Sequence, residues 1–598
     1  MRNKFILFPI LVWICAMVVL YCAFFLPTEL ILKTDSNALK HLEVESIWKD
    51  GRAKRTSFEF YTPLDLPQEQ RLAIKRLFPD RLILKPFPQR AESSIRSAEV
   101  IRFGVIRRTF RNTMDLSCSG GSLFISVPIC FLLLLLIGGG IGHIYLESRY
   151  HWLERLYRER RSLFLTFAFL FAYFFFTNLL MYYQNPGDDW KFQCLGAYGF
   201  SELPEVIRMR WETWGARLLL DGLFSQLAAM SPLYFFCGIM VVLLSLVVLL
   251  SRLMRGKNPA EGLLPAGVLF LLFPFNVLTT AGWQSTMMFY AVPLLLLFPL
   301  LFCIQDRIVG RRTPLWIGCL SLLCACFLCN MEQVCLAVVL LSGGFLVYCL
   351  FRREKIPFWI PANLLIGIGS LCYIFLCPGN ALRSAVEVSR GVRGILDLNL
   401  IQKGMLGVYS SLFYLNHCNM LWIFLLILTA VAVWMERKGA VPRMIACLPL
   451  MVVLLSMNMP VDLLDEHLIA QIADLRHSGS FLMLAGMQSF SLAALLVSMF
   501  LTQRRFGNGC LLAGGVLIAL SVRMATGMTP VVYTSGERTY LFSYFGFLLI
   551  SIFLFDRISA RLSGENRKAL FLIITVFALI LALKVFCVGI LNCVRFAF

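Results

Sequence analysis

Leu233-Tyr-Phe-Phe-Cys-Gly-Ile-Met-Val-Val-Leu-Leu-Ser-Leu-Val-Val-Leu-Leu250 contains no charged residue. As a helix it would rise about 27 Å at 1.5 Å per residue, close to the thickness of a bilayer's hydrocarbon core. Similar runs occupy residues 123–139, 163–180, 320–350 and 569–591. In lipid every backbone N–H and C=O must be satisfied internally, which leaves only helices and closed barrels. These runs lack the strict alternation of barrel strands, so they read as helices.

The rest of the chain agrees. Of its 598 residues 59% are hydrophobic and 15% charged, with a mean hydropathy of +0.75. A soluble domain is nearer half apolar and a quarter charged. The net charge of +20 would suggest nucleic acid in a soluble protein. Here the basic residues sit in short loops between apolar runs, as the positive-inside rule expects, so no nucleic-acid partner is implied. The partner is the bilayer, and the basic loops also suit anionic headgroups.

Inner loops are marked by Arg149 to Arg161, by Arg252, Arg255 and Lys257, and by Arg307, Arg311 and Arg312. Later markers are Arg352, Arg353 and Lys355, then Arg437 and Lys438, then Arg504 and Arg505, then Arg557, Arg561, Arg567 and Lys568. Two spans fit between successive loops. The expected fold is an all-α polytopic membrane protein of about 13–15 transmembrane helices.

Arg2 and Lys4 precede an apolar run, so residues 1–26 read as an N-terminal transmembrane anchor with a cytoplasmic N-terminus rather than a cleaved leader. Residues 27–121 are polar and broken by Pro63, Pro67, Pro79, Pro86 and Pro88, with strand-like pieces at 42–47, 57–61 and 81–84. They read as a small, mostly β domain on the outer face. Residues 122–161 hold the second helix and a basic loop, and residues 162–598 the transmembrane core. Most of the 20 cysteines lie in apolar runs and act there as small hydrophobes; so do Cys324, Cys326 and Cys329. Cys118 and Cys194 fall in outer segments and could pair.

Parity places the outer loops at 184–230, 378–404, 457–479 and 527–539, and these carry the unusual residues. Asn185-Pro-Gly-Asp-Asp-Trp190 is a turn that puts Asp188 and Asp189 at the membrane boundary. Adjacent carboxylates suit a general base or a cation ligand; the plain alternative is a solvated turn. Residues 203–221 read as an amphipathic helix after a Ser201 cap, with Arg210, Trp214 and Arg217 on one face and Trp211 and Trp214 fitting an interfacial belt. Trp283-Gln-Ser-Thr286 marks a sharp turn, and Asn330-Met-Glu332 puts a carboxylate at the lip of an apolar helix pair. Ionisable groups at membrane depth are functional suspects. Pro378-Gly-Asn-Ala-Leu-Arg383, with Arg390 and Arg393, is basic on the outer side and suggests an anion to bind. Asp462, Asp465, Glu466, His467, Asp474, Arg476 and His477 read mainly as a solvated face. Thr534-Ser-Gly-Glu-Arg-Thr539 places Arg538 at the outer end of a helix.

The order of these motifs resembles the polytopic glycosyltransferases of the GT-C superfamily, especially bacterial membrane families described as glucosyltransferase-like. The matching pieces are Gly187-Asp-Asp-Trp190, Trp214-Gly-Ala-Arg217, Pro378-Gly-Asn-Ala-Leu-Arg383 and Gly536-Glu-Arg-Thr539, within about two thirds of the chain. The resemblance implies a polyprenyl-phosphate-linked sugar donor, a glycan, lipid or protein acceptor, and a site on the outer face of a bacterial cytoplasmic membrane. It implies an inverting displacement with Asp188 or Asp189 as base. Arg217, Arg383 and Arg538 would hold the departing phosphate. Trp190, Trp211 or Trp214 would stack on the sugar, and Glu332, Asn380 and Glu537 would line the site. The sequence specifies no cofactor; Asp188 and Asp189 could hold a divalent cation through their oxygens or serve as a base alone. The same residues would also serve a transporter or flippase, or a polymerase or ligase, for lipid-linked saccharides. A scaffold whose outer domain binds a partner would not need the aspartates.

Overall fold

The computed structural model describes eight strands between Thr28 and Ser117, and residues 152–597 apart from 183–186, 231, 255–258, 391–393, 458–465, 476–477, 531 and 534. The expected first two membrane helices, Cys118, Pro186, Arg393, Asp462, Asp465, Arg476 and His477 lie outside the described residues.

The strands are β1 (Thr28–Thr34), β2 (His41–Ile47), β3 (Ala53–Glu59), β4 (Gln68–Ile74), β5 (Arg81–Phe87), β6 (Ile95–Arg102), β7 (Ile106–Phe110) and β8 (Asp115–Ser117). They form two antiparallel sheets, ordered β4-β1-β6-β7 and β3-β2-β5-β8. Alternation explains them. In β2, Leu42, Val44 and Ser46 are fully buried, while Glu45 on the other face bonds Lys85 at 2.7 Å and Arg55 at 3.4 Å. Those two cations hold the Glu45 carboxyl below its ordinary range, Lys85 contributing most. Pro63, Pro67, Pro79 and Pro88 lie outside the described residues. Pro86 sits one residue from the end of β5, where a missing N–H is tolerated.

The rest is helical. α1 is Trp152–Tyr182, α2 Asp189–Gly196, α3 Leu203–Thr213, α4 Leu218–Ala229, α5 Pro232–Leu253 and α6 Pro259–Phe270. α7 runs Trp283–Val309 with a π turn at Met287–Ala291. Then come α8 (Leu315–Leu328), α9 (Glu332–Phe351), α10 (Trp359–Leu376), α11 (Pro378–Arg390), α12 (Leu400–Cys418), α13 (Met420–Glu436) and α14 (Ala440–Ser456). α15 (Glu466–Ala473), α16 (Gly479–Leu501), α17 (Phe506–Met524), α18 (Leu541–Ser559) and α19 (Gly564–Ala597) complete the chain.

Among the described residues eight helices are long and apolar enough to cross a membrane, or nine if the α12–α13 pair, bent by 83°, counts as one span. Residues 166–182 and α4, α8 and α14 are apolar but shorter. Large apolar side chains stay exposed on these helices, as a bilayer solvent would allow: Leu323 is 70% exposed and Phe375 84%. The multi-spanning helices give the chain the character of an integral membrane protein.

Aromatic rings pack the core. Phe174 meets Phe270 and Phe275 with ring centroids 5.7 and 5.6 Å apart, a favoured spacing for such pairs. Buried polar groups find one another, as low-dielectric surroundings require. At the α12–α13 bend Asn419 caps α13 by accepting from Trp422 N at 2.8 Å. Trp422 Nε1 donates to Asn416 at 2.7 Å, and Asn416 bonds Gln488. At the other end of α13 the buried Glu436 carboxylate gathers Arg504 at 2.7 Å, Arg557 at 3.3 Å and Arg561. This is the basic end of the bundle.

Three expectations change in detail. Residues 203–221 are not one helix: α3 stops at Thr213, because Trp214 N and Gly215 N both return to Arg210 O at 2.9 Å, and α4 starts after Arg217. The α3 cap is Glu202 with a proline in the first turn, not Ser201. The segments read as loops are themselves structured: α2 to α4 lie within 184–230, α11 within 378–404 and α15 within 457–479.

Candidate functional site

Gly187 adopts φ +52°, and a Cβ there would lie 2.2 Å from Ala281 C and Gly282 N. Only glycine lets this turn dock on the segment that opens α7. The docking is fixed by Asp188 N donating to Ala281 O at 2.7 Å. It sends the two aspartates in different directions. Asp189, 5% exposed, accepts from Gln284 N at 3.0 Å and from Ser285 N and Ser285 Oγ at 2.7 Å each. It therefore caps the α7 N-terminus, where a helix has unsatisfied N–H groups and favours negative charge. Asp188 stays half-exposed, its carboxylate 3.0 Å from Lys191 Nζ.

Asp188 opens onto a cavity of about 480 Å³, within the usual size of ligand pockets. Trp190, Lys191 and Phe192 from α2, Arg210, Trp214 and Arg217 around the α3–α4 break, and Asp221 from α4 line it. Ser285, Phe289 and Tyr290 from α7, Arg383 from α11, and Ser535 and Arg538 before α18 complete the walls. The segments 283–309, 332–351 and 536–559 all start here. The cavity thus lies at one end of the bundle.

Four ion pairs organise it. Arg210 Nε bonds Asp221 Oδ2 at 2.8 Å with both side chains buried. The Arg210 guanidinium also lies 5.5 Å from the Trp214 ring and 5.6 Å from Phe192, a cation–π spacing. Glu332, the first residue of α9, takes Arg217 Nε at 2.8 Å and Nη2 at 2.7 Å on one oxygen, and Arg383 Nη2 at 3.3 Å on the other. Burial works against the Arg217 charge, but Glu332, Tyr290 and Asp221 together outweigh it and the guanidinium pKa is raised. Lys191 has Asp188. Arg538 has no carboxylate partner among the described residues.

Five cations therefore line the cavity against Asp188 and Asp221, with Glu332 behind them. The balance is positive, as an anion site needs.

Two sequence motifs meet directly. A Cβ on Gly379 would fall 2.6 Å from Trp211 O and Trp214 N, so the Pro378-Gly-Asn turn sits on the α3 end. Asn380 Nδ2 donates to Ile374 O at 2.7 Å, holding that turn. Arg383 is thereby placed one helical turn on, facing Arg217 across Glu332.

No family model, curated protein or solved structure matches this chain. The site's reading therefore rests on its own chemistry.

Of the residues singled out from sequence, Asp188, Trp190, Trp214, Arg217, Arg383 and Arg538 share the cavity wall, with Glu332 tying two of them together. Asp189, Trp211, Asn380 and Glu537 do not line it. Trp211 stacks on Tyr373 with centroids 4.7 Å apart. Glu537 faces Tyr414 rather than the cavity. His467 belongs to α15. Asp188 and Asp189 diverge, so they do not offer one bidentate cage, and no group of three ligand-type side chains exists among the described residues.

Sequence reasoning missed Lys191, Asp221, Ser285, Phe289 and Tyr290 as lining residues. Phe289 and Tyr290 reach the cavity from the π turn of α7. Such turns recur at functional sites, but apolar sequence gives no sign of one. Asp221 did carry a signal: a lone charge in the mainly apolar α4.

Proposed function

We propose that this chain is a membrane glycosyltransferase that moves a sugar from a polyprenyl-phosphate carrier to an acceptor at the cavity. The observation that carries this reading is the pairing, in one cavity at the bundle end, of a half-exposed carboxylate with a positive wall. Asp188 is the base. It takes the proton of the acceptor hydroxyl as that oxygen attacks the anomeric carbon. The bond from that carbon to the phosphate oxygen breaks on the opposite face, which inverts the centre. Negative charge grows on the departing phosphate, and Arg217, Arg383 and Arg538 stabilise it. Trp214 and Trp190 give the sugar flat apolar faces. Asp189 supports the site from below by fixing α7. The GT-C resemblance and an outward-facing site in a bacterial cytoplasmic membrane belong to the same proposal, because lipid-linked donors are used where their headgroups emerge. The basic end with Glu436 would then face the cytoplasm.

The test is reconstitution with radiolabelled polyprenyl-phosphate sugars and an acceptor mixture. The expected result is sugar released from the lipid by the wild type, with at least a hundredfold loss in Asp188→Asn at unchanged melting temperature. Intact lipid-linked saccharide crossing the bilayer without cleavage would replace this reading with transport.

A further inference from the structure

We propose that Glu332 is the resident counter-ion of the phosphate cradle: it holds Arg217 and Arg383 while the cavity is empty, and an incoming lipid phosphate displaces it. The inference rests on the cavity being a lipid-phosphate site. It goes further in assigning what sets the site's affinity and the release of its product.

The geometry supports an exchangeable bridge rather than a sealed structural pair. Arg217 and Glu332 side chains are each 27% exposed and Arg383 18%. The buried Arg210–Asp221 pair beside them, at 9% and 4%, shows what a permanent pair looks like here. The Glu332 bridge is also uneven. Arg217 is held at 2.7 and 2.8 Å, Arg383 by one longer contact at 3.3 Å, so Arg383 is the first to be given up. The carboxylate has somewhere to remain after exchange. As the first residue of α9 it lies at a helix N-terminus, which favours negative charge without a cation.

The other charges make Glu332 the deciding one. Lys191 and Arg210 already have Asp188 and Asp221, and Arg538 has no carboxylate among the described residues. Arg538 captures the phosphate; the Glu332 exchange then delivers two more guanidinium groups in the bidentate geometry that suits phosphate. After transfer the lipid phosphate carries more negative charge than the donor did. Return of Glu332 to the arginines competes with it and drives release.

Glu332→Gln keeps the shape and one acceptor oxygen but removes the charge. Binding of a short-chain polyprenyl phosphate, without sugar, is measured by titration of the purified full chain. The expected result is Kd about tenfold lower than wild type, with a steeper dependence on salt. In turnover KM and kcat should fall together, because the product leaves slowly. Glu332→Asp, which keeps the charge but is one methylene shorter, should fall between Glu332→Gln and wild type in both Kd and salt dependence. A Glu332→Gln variant that folds and binds lipid phosphate no better than wild type would overturn the counter-ion role while leaving the transferase reading intact. A wild type that binds no lipid phosphate would overturn both.

Discussion

Asp188 and Asp189 carry the same functional group on neighbouring residues, yet one ends in three hydrogen bonds at the α7 N-terminus and the other ends beside Lys191 at an open cavity. The consequence is a separation of stability from activity. Asp189→Ala would leave two buried backbone donors unsatisfied, and each such group costs about 1–3 kcal/mol. We expect a loss of about 3 kcal/mol in unfolding free energy, read as a lower melting temperature in detergent. Asp188→Asn breaks only a half-exposed ion pair, worth about 0–1 kcal/mol, and should melt like wild type. Equal destabilisation of the two variants would contradict this division. From the sequence the choice between them was open, because a turn residue's environment is set by what docks on it. Here the docking partner, Gln284 and Ser285, comes 95 and 96 residues later. Glu332 shows the opposite case. A carboxylate at the lip of an apolar helix pair is legible from composition, though its two arginines, 115 and 51 residues away, are not.

At the scale of elements, the helix pairs meet through their glycines. α11 rests on the α3 end because Gly379 brings its backbone against Trp211, Trp214 and Gly215. Gly379→Ala would drive a Cβ to 2.6–2.7 Å from three backbone atoms, none of which can swing away as a side chain would. α11 must therefore shift, and Arg383 with it. We expect a loss of about 1–3 kcal/mol of stability together with weaker lipid-phosphate binding. Gly238→Ala in α5, where nothing lies within 4 Å, should leave both unchanged. Wild-type binding in Gly379→Ala would mean that α11 does not set the position of Arg383. Part of this level was readable: the eight or nine membrane-length helices among the described residues follow from apolar runs, the β segment from its strand-like pieces between prolines, and the Trp-Gly and Pro-Gly motifs from their turn residues. Two features were not. The break between α3 and α4 depends on Trp214 N and Gly215 N both finding Arg210 O, against a helical pattern that runs on through Asp221. The π turn of α7 lies in Met287-Met-Phe-Tyr-Ala291, which codes for an ordinary helix as well.

For the whole molecule, charge and topology make one statement about orientation that can be tested without any substrate. The Glu436 cluster gathers three arginines at one end of the bundle, and α19 starts there, after Arg557 and Arg561. α19 then runs the length of the bundle. A Cβ on Gly589 would lie 3.3 Å from Leu180 Cδ1, and Leu180 is in the last turn of α1, just before the Asp188 turn. The C-terminal part of α19 therefore reaches the end of the bundle that holds the cavity. The positive-inside rule assigns the arginine end to the cytoplasm, so the chain's C-terminus should emerge with the cavity on the far side. An alkaline phosphatase fused after Phe598 should be active in intact bacterial cells, because that enzyme matures only outside the cytoplasm, and a green fluorescent protein at the same point should be dark. The same pair of reporters placed after Arg505, at the arginine end, should give the reverse. If the C-terminal fusion fluoresces, the cavity faces the cytoplasm. A soluble nucleotide-linked sugar would then be as accessible to Asp188 as a lipid-linked one, and the case for a polyprenyl-phosphate donor would lose its geometric basis.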